Sequence, residues 1–427
     1  MAMAWSKKRP KRALLGSLTV GILLTGTGGV TAPAEARSPA GTETAWTGGW
    51  SASVQRPSTG FEPNWSLEGF AGQSVRQVVR VSVGGSALRI RLSNRYGTTP
   101  LRVAGATVAV AGDGASVSPG TVRRLTFRRG TSAVIPAGTE ILSNPAALRV
   151  GPLQKVTVTL YFAEATGPAT FHAQAYATSY RADGNHLRDQ GASAFSQTTH
   201  SWYYLSDVQV LGGRPARNTV VTLGDSITDG FGSTVDADNR YPDELAERFA
   251  AAGRPRSVLN AGIGGNLLLN DSAWYGESAL ARLRRDVLDE PGVKAVIVLV
   301  GTNDIGFSEV DEPTFEPDPD LSVPELVAGY RVLIARSRAR GIRVVGGTVL
   351  PFKGSFYDTP RAEAKRTAIN RWIRTSGEFD AVADFDRALA DPADPAAIRS
   401  AYASADHLHP NDDGYRLMAE VAEAALR

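Results

Sequence analysis

The spacing of apolar residues changes once along this chain of 427 residues. The change falls near Gly212-Gly213-Arg214-Pro215, and it limits the possible folds more than any other feature. Before it, from about Trp46 to Leu211, apolar residues recur at every second position in short runs. Gln77-Val78-Val79-Arg80-Val81-Ser82-Val83 and Leu88-Arg89-Ile90-Arg91-Leu92 both alternate, with Gly84-Gly85 between them. They are expected to pair as a hairpin or as neighbouring strands. Val103 to Val110, Leu125 to Phe127 and Val156 to Phe162 add strands, and no long helix separates them. Many short strands punctuated by Gly, Pro and Asn imply an all-β sandwich, jelly-roll-like in form.

After the change, strands alternate with helices. Val220 to Leu223, Ser257 to Leu259, Ala295 to Val300, Ile342 to Val345 and Ala381 to Asp384 read as strands. Helices are expected over Pro242 to Ala252, Pro324 to Arg340, Ala362 to Ser376 and Gly414 to Leu426. Pro242 and Gly253 bracket the first of these as start and stop signals. Ala295-Val296-Ile297-Val298-Leu299-Val300 is apolar throughout, as a strand covered on both faces must be. The alternation implies a parallel sheet in three layers, with the site at the carboxyl ends of its strands.

The start of the chain reads as a secretory leader. Lys7, Lys8, Arg9, Lys11 and Arg12 precede an uncharged stretch from Ala13 to Val30, and Ala34-Glu35-Ala36 offers a small–x–small cleavage site. An uncleaved anchor is the competing reading; Gly and Thr dilution of the stretch favours cleavage after Ala36. The expected organisation is a signal peptide over 1–36, a β-sandwich over 37–213 and an α/β domain over 214–427. The whole sequence carries 46 Lys and Arg against 43 Asp and Glu, and the leader holds five of the former and one of the latter. The mature chain is therefore near neutral, which removes the compositional case for nucleic acid. With no Cys, disulfides, thiolate metal sites and a cysteine nucleophile are excluded. A Cys-free exported chain points to a bacterial, extracellular protein, with no stable membrane insertion after cleavage.

Three of the expected strand ends carry small-residue loops with polar groups: Gly224-Asp225-Ser226-Ile227-Thr228-Asp229-Gly230, Asn260-Ala261-Gly262-Ile263-Gly264-Gly265-Asn266 and Gly301-Thr302-Asn303-Asp304. A fourth block, Asp406-His407-Leu408-His409-Pro410, lies near the C-terminus. A serine hydroxyl is a weak nucleophile until a base takes its proton. Ser226 sits where a strand is expected to enter a helix, whose N-terminus would face the developing charge. His409 can be the base, and Asp406, three residues earlier, can fix its tautomer. The Ser226 and Gly265 backbone N–H groups and the Asn303 amide can supply donors to an oxyanion, each typically worth about 2.7–4 kcal/mol of barrier.

In their order and placement these four blocks resemble those of the SGNH hydrolases, also called GDSL-type esterases and lipases, over about residues 218–427. The longer stretches around Ser226 and Gly265 are similar to the secreted arylesterase/acylhydrolase-like branch, whose members can carry an N-terminal β-domain. The resemblance implies a flavodoxin-like three-layer α/β/α fold and a Ser-His-Asp mechanism without metal or organic cofactor. Ser226 then matches the nucleophile, His409 the base, Asp406 its orienter, and Gly265 and Asn303 the oxyanion pair. Gly265 is chosen over Gly264 because the family glycine precedes a polar residue, here Asn266.

Other site residues are less determined. His407 is expected to line or support the site, and Asp225 to accept a loop-fixing hydrogen bond. Asp304 and Asn266 either tie the loops or make ordinary turns. Trp274 and Tyr275 either wall the pocket or pack into the body. Glu309 to Asp320 reads as a solvated acidic insertion rather than a Ca²⁺ site. His172, His186 and His200 read as structural or surface residues. Gly-x-Ser-x-Gly, His-Glu-x-x-His and phosphate-loop motifs do not occur. The sequence thus points to an exported serine esterase for short acyl esters, with acetylated polysaccharide as a candidate partner. A lipase or lysophospholipase and a non-catalytic glycan-binding protein are the alternatives.

Overall fold

The computed structural model describes residues 46–212 and 218–427, so the proposed leader, its cleavage site at Ala36 and Gly213-Arg214-Pro215 of the linker lie outside the described residues. Up to Leu211 the chain forms two main antiparallel sheets. One runs in the order Trp46–Ser51, Leu205–Leu211, Leu88–Ser93, Glu140–Leu142. The other runs Gln197–Thr199, Ser179–Asp183, Gln73–Arg80, Lys155–Phe162, Gly105–Val110, Arg123–Arg124. Both sheets turn apolar faces into a shared core that includes Leu88, Ile90 and Leu92 from the first and Val75, Val79, Val158 and Leu160 from the second. This is the expected sandwich, but the expected hairpin is not in it. Gln73–Arg80 and Leu88–Ser93 lie in opposite sheets. Alternation places a strand's apolar residues on the core side without saying which of two facing sheets it joins. Gly84-Gly85 serves the crossing between sheets rather than a tight turn. A Cβ there would stand 2.6 Å from the Val150 carbonyl oxygen and 2.7 Å from that of Leu211, so only glycine lets the backbones approach.

From Thr219 the fold is parallel. Its five strands are ordered Val258–Gly262, Thr219–Gly224, Val293–Leu299, Arg343–Gly347, Ala381–Ala383, a 2-1-3-4-5 sheet. Val221, Leu223, Val296 and Val298 enter one buried cluster, while Val220, Ala295, Ile297 and Leu299 enter another. The apolar run Ala295–Leu299 thus follows from helices covering both faces. Those helices include Tyr241–Ala251, Val323–Arg338, Pro360–Thr375 and Asp412–Ala425. A further short helix, Ala279–Leu283, continues as a π-helical turn over Arg284–Leu288. The described residues belong to one compact unit. Strand order reverses between the first and third strands of the sheet, which is where an open α/β sheet leaves a crevice.

Candidate active site

Ser226 opens a helical turn of four residues, Ser226–Asp229, directly after the strand Thr219–Gly224. Asp225 caps it, its Oδ1 accepting from the Ile227 N–H at 3.1 Å. The turn ends at Gly230, which adopts the left-handed region with φ 110°. The expected helix is therefore one turn long and contributes little macrodipole, because few peptide units are aligned. Any charge stabilisation has to come from individually aimed donors. Asp225 is fully buried, and desolvation, with the nearby Asp304 charge adding to it, pushes its carboxyl up to about 7 against the opposing Ile227 hydrogen bond.

His409 arrives on the loop before the last helix. Its Nε2 lies 2.8 Å from the Ser226 Oγ, and its Nδ1 lies 2.6 Å from the Asp406 Oδ2. The other oxygen of Asp406 accepts from the backbone N–H groups of Leu408 and His409, each at 3.0 Å. This wraps the three-residue spacing into an Asx-type turn. Desolvation works against the Asp406 charge, but the His409 contact and these N–H groups hold its carboxyl down at about 2. The Phe231 ring packs over the His409 imidazole with centroids 4.2 Å apart. His407, expected at the site, has φ 57° and is exposed, its ring beside Gly354. The left-handed kink that lets Asp406 reach His409 turns the intervening histidine outward.

The loop after Val258–Gly262 distributes its N–H groups unequally. Ile263 donates to the Gly224 carbonyl and Asn266 to that of Ile263. The Gly264 N–H donates to the Asp229 Oδ2 at 3.0 Å. The Gly265 N–H has no acceptor among the described residues. Gly265 has φ 72°, and a Cβ there would stand 2.3 Å from the Tyr275 ring, so Tyr275 packs under this turn rather than forming a free pocket wall. Trp274 is half-buried against the same core. The Asn303 Nδ2 donates one proton to the Asn266 carbonyl at 3.0 Å, and its Oδ1 accepts from the Tyr357 hydroxyl at 3.0 Å. The tyrosine thus fixes which end of the amide faces the loop, and the second Nδ2 proton is left to point elsewhere. Asp304 and Asn266 are indeed tying residues. Asp304 accepts from the Leu268 N–H at 2.8 Å, and Asn266 donates to the Tyr275 and Glu277 carbonyls at 2.8 and 2.9 Å.

Four contributors escaped the sequence reading. Arg282 is fully buried and donates to the Gly224 and Ala261 carbonyls, the Asn266 Oδ1, the Ser53 Oγ and the Asp286 carboxylate. It ties the ends of two parallel strands to the loop that holds Gly265. Ala279, Leu283 and Val287 recur every four residues after Ser278, a helical stripe that could have revealed its helix. Tyr357 lies on a loop whose sequence gives no periodic signal. Gln174 and His172 come from the β-sandwich. Gln174 and Phe61 both crowd Gly264, where a Cβ would stand 1.9 Å from the Gln174 Oε1. His172, read as structural or surface, is buried with its Nε2 3.0 Å from the Asp229 Oδ1. His186 and His200 each sit beside an acidic partner, Asp189 and Glu62. The acidic insertion is not simply solvated: Glu309 accepts from Thr359 and Arg361, both at 2.7 Å, and Asp320 pairs with Arg361 and Lys365. Among the described residues no group of three or more His, Asp or Glu could hold a metal, and no helix is long and apolar enough to cross a membrane.

A serine hydroxyl bonded to an imidazole, an imidazole bonded to a carboxylate and spare donors on the loops after the neighbouring strands can together support acyl transfer. Residues 222–417 match the GDSL-like lipase/acylhydrolase family. No curated protein matches the sequence. Solved structures similar to the chain include a lipase/acylhydrolase from Enterococcus faecalis, at 21% identity over 48% of this chain and 93% of that one, TM-score 0.37. An acetyl xylan esterase variant from Geobacillus stearothermophilus is 19% identical over 49% of this chain and 94% of that one, TM-score 0.37. A GDSL-like lipase from Bacteroides thetaiotaomicron is 20% identical over 49% and 88%, TM-score 0.36.

Proposed function

We propose, for a chain whose residues 222–417 belong to the GDSL-like lipase/acylhydrolase family and which is therefore a carboxylic ester hydrolase, a serine acyl-enzyme mechanism acting on short acyl esters outside the cell. The observation that carries the mechanism is the unbroken chain from the Ser226 Oγ to the His409 Nε2 at 2.8 Å and from the His409 Nδ1 to the Asp406 Oδ2 at 2.6 Å. In this reading the Ser226 oxygen attacks the ester carbonyl carbon while its proton passes to the His409 Nε2. Asp406 stabilises the imidazolium. The carbonyl oxygen, now anionic, accepts from the Ser226 and Gly265 N–H groups and the spare Nδ2 proton of Asn303. Collapse breaks the bond to the leaving alcohol, which takes the proton from His409. Water then repeats the sequence on the acyl-enzyme and restores the serine.

A short acyl group suits the crowding by Phe231 over His409 and by Gln174 and Phe61 at Gly264. The polar Gln174 and Tyr176 on the β-sandwich side favour a polar alcohol, such as a sugar hydroxyl, over a second acyl chain. Export rests on the basic, apolar and small-residue order of residues 1–36. The test is hydrolysis of p-nitrophenyl esters of graded chain length, acetylated xylan and a lysophospholipid by the parent and Ser226→Ala. Acetyl esters should be cleaved fastest, and the variant should be inert. A variant as fast as its parent removes the mechanism, and a preference for the lysophospholipid removes the substrate assignment.

A further inference from the structure

The seam between the sandwich and the parallel sheet contains one pair that ordinary fastening does not explain. His172, on the short strand Phe171–His172, faces Asp229, the last residue of the turn that Ser226 begins. Both are buried, at 2% and 4% side-chain exposure. Every polar atom of the imidazole faces an acceptor. Its Nδ1 is 2.8 Å from the Ser53 carbonyl, and its Nε2 is 3.0 Å from the Asp229 Oδ1 and 3.3 Å from the Gln174 carbonyl. Carbonyl oxygens cannot donate, so Nδ1 donates to Ser53 and Nε2 is placed to donate to Asp229, the arrangement that suits an imidazolium beside a carboxylate. Burial alone would lower the His172 pKa; the Asp229 charge and the hydrogen bonds to Asp229, Ser53 and Gln174 outweigh it and raise it.

The second oxygen of the same carboxylate holds the Gly264 N–H at 3.0 Å. The next residue is Gly265, whose N–H has no acceptor among the described residues. Arg240 and Arg282 add positive charge near Asp229, but neither donates to it; Arg240 donates to the Ala175 carbonyl and to Asp238 and Asp243. His172 is thus the direct partner that completes Asp229. A buried ion pair commonly fails to repay its desolvation, so it is weak as a fastener and better suited to fixing a geometry. Fastening is supplied elsewhere along the seam, by Arg95 with Glu277 at 3.1 Å, Arg80 with Glu247 at 2.5 Å and Lys155 with Asp238 at 2.8 Å.

We infer that His172 is a positioning residue for ester hydrolysis, lent by the sandwich: through Asp229 it sets the Gly264–Gly265 turn so that the Gly265 N–H meets the forming oxyanion. This rests on the serine-esterase reading above. A donor displaced by a fraction of an ångström still lets substrate bind but no longer matches the transition state, so the loss should fall on kcat rather than KM.

The experiment uses the full chain and p-nitrophenyl acetate. His172→Phe keeps the ring's size and removes both donors; kcat should fall about tenfold or more, with KM within about twofold. His172→Gln restores one donor toward Asp229 and should recover kcat to within about threefold of the parent. Arg95→Met cuts a fastening pair without touching Asp229, and should lower the melting temperature while keeping kcat. The inference is overturned if His172→Phe keeps the parent kcat, or if Gln restores no more than Phe while both fold. Should His172→Phe fail to fold, Asp229→Ala decides: a tenfold lower kcat at unchanged KM supports the inference, and an unchanged kcat ends it. Ser226→Ala runs alongside; if it hydrolyses the ester, the underlying esterase reading fails, whatever the His172 variants do.

Discussion

Two histidine–carboxylate pairs stand on either side of the Ser226 turn, and they differ in what their second ring nitrogen faces. In the His409–Asp406 pair, Nδ1 meets the carboxylate and Nε2 meets a hydroxyl that can give or take a proton. In the His172–Asp229 pair, Nε2 meets the carboxylate and Nδ1 meets a carbonyl that can do neither. The first can shuttle a proton, and the second can only hold a charge in place. Access differs likewise: Asp406 keeps 29% of its side chain exposed, Asp229 only 4%. On the proposed mechanism two pairs of the same residue types do unlike work, and the deciding atom is the partner on the far side of the ring.

The comparison can be attacked at several points. The strongest blow is Asp406→Asn, which leaves the size of the group but removes the charge that orients His409. A fall in kcat of about 10³–10⁴-fold is expected, with KM little changed. A loss no larger than that of the His172 variants would erase the distinction between the pairs. Next comes Asn303→Ala, expected to lower kcat about 10²–10³-fold in steady-state assays. Parent-like turnover would mean that the amide only braces Asn266. Tyr357→Phe is gentler. It removes the hydroxyl that sets the Asn303 amide, and one hydrogen bond of about 1 kcal/mol corresponds to a several-fold drop in kcat. An unchanged kcat would assign the amide's orientation to the loop alone.

The last effect is read in stability against pH rather than in kcat. Asp225 has its folded carboxyl pushed up to about 7 from 3.8, chiefly by desolvation. Between those values the folded state binds a proton that the unfolded state lacks. The stability contributed by the neutral form is therefore complete below about pH 4 and is lost as pH rises through about 7. Urea midpoints at pH 5 and pH 8 should show this decline, and Asp225→Asn should flatten it. An equal slope in both proteins would place the titration elsewhere.

What the sequence revealed of all this follows from distance along the chain. Asp406 and His409 are three residues apart, so spacing alone suggests their contact. Ser226, Gly265 and Asn303 follow apolar strands whose alternation with helices announces a parallel sheet and its functional edge. Nothing local pairs Gln73–Arg80 with Lys155–Phe162 instead of Leu88–Ser93, because all three carry the same two-residue period. Likewise His172 is 57 positions from Asp229, and Arg282 gathers Gly224, Ala261 and Ser53 from far up the chain. Such contacts are properties of the closed fold, and a one-dimensional pattern has no term for them.

Arg282 shows what this means for redesign. One guanidinium grips the tips of two strands, the Asn266 loop and the sandwich at once. A graft or swap that disturbs this arginine would shift several parts of the candidate site together, with no single compensating change to restore them. Phe61, 42% exposed beside Gly264, answers to fewer neighbours. New ester preferences are therefore to be sought by varying that outer aromatic over an untouched keystone.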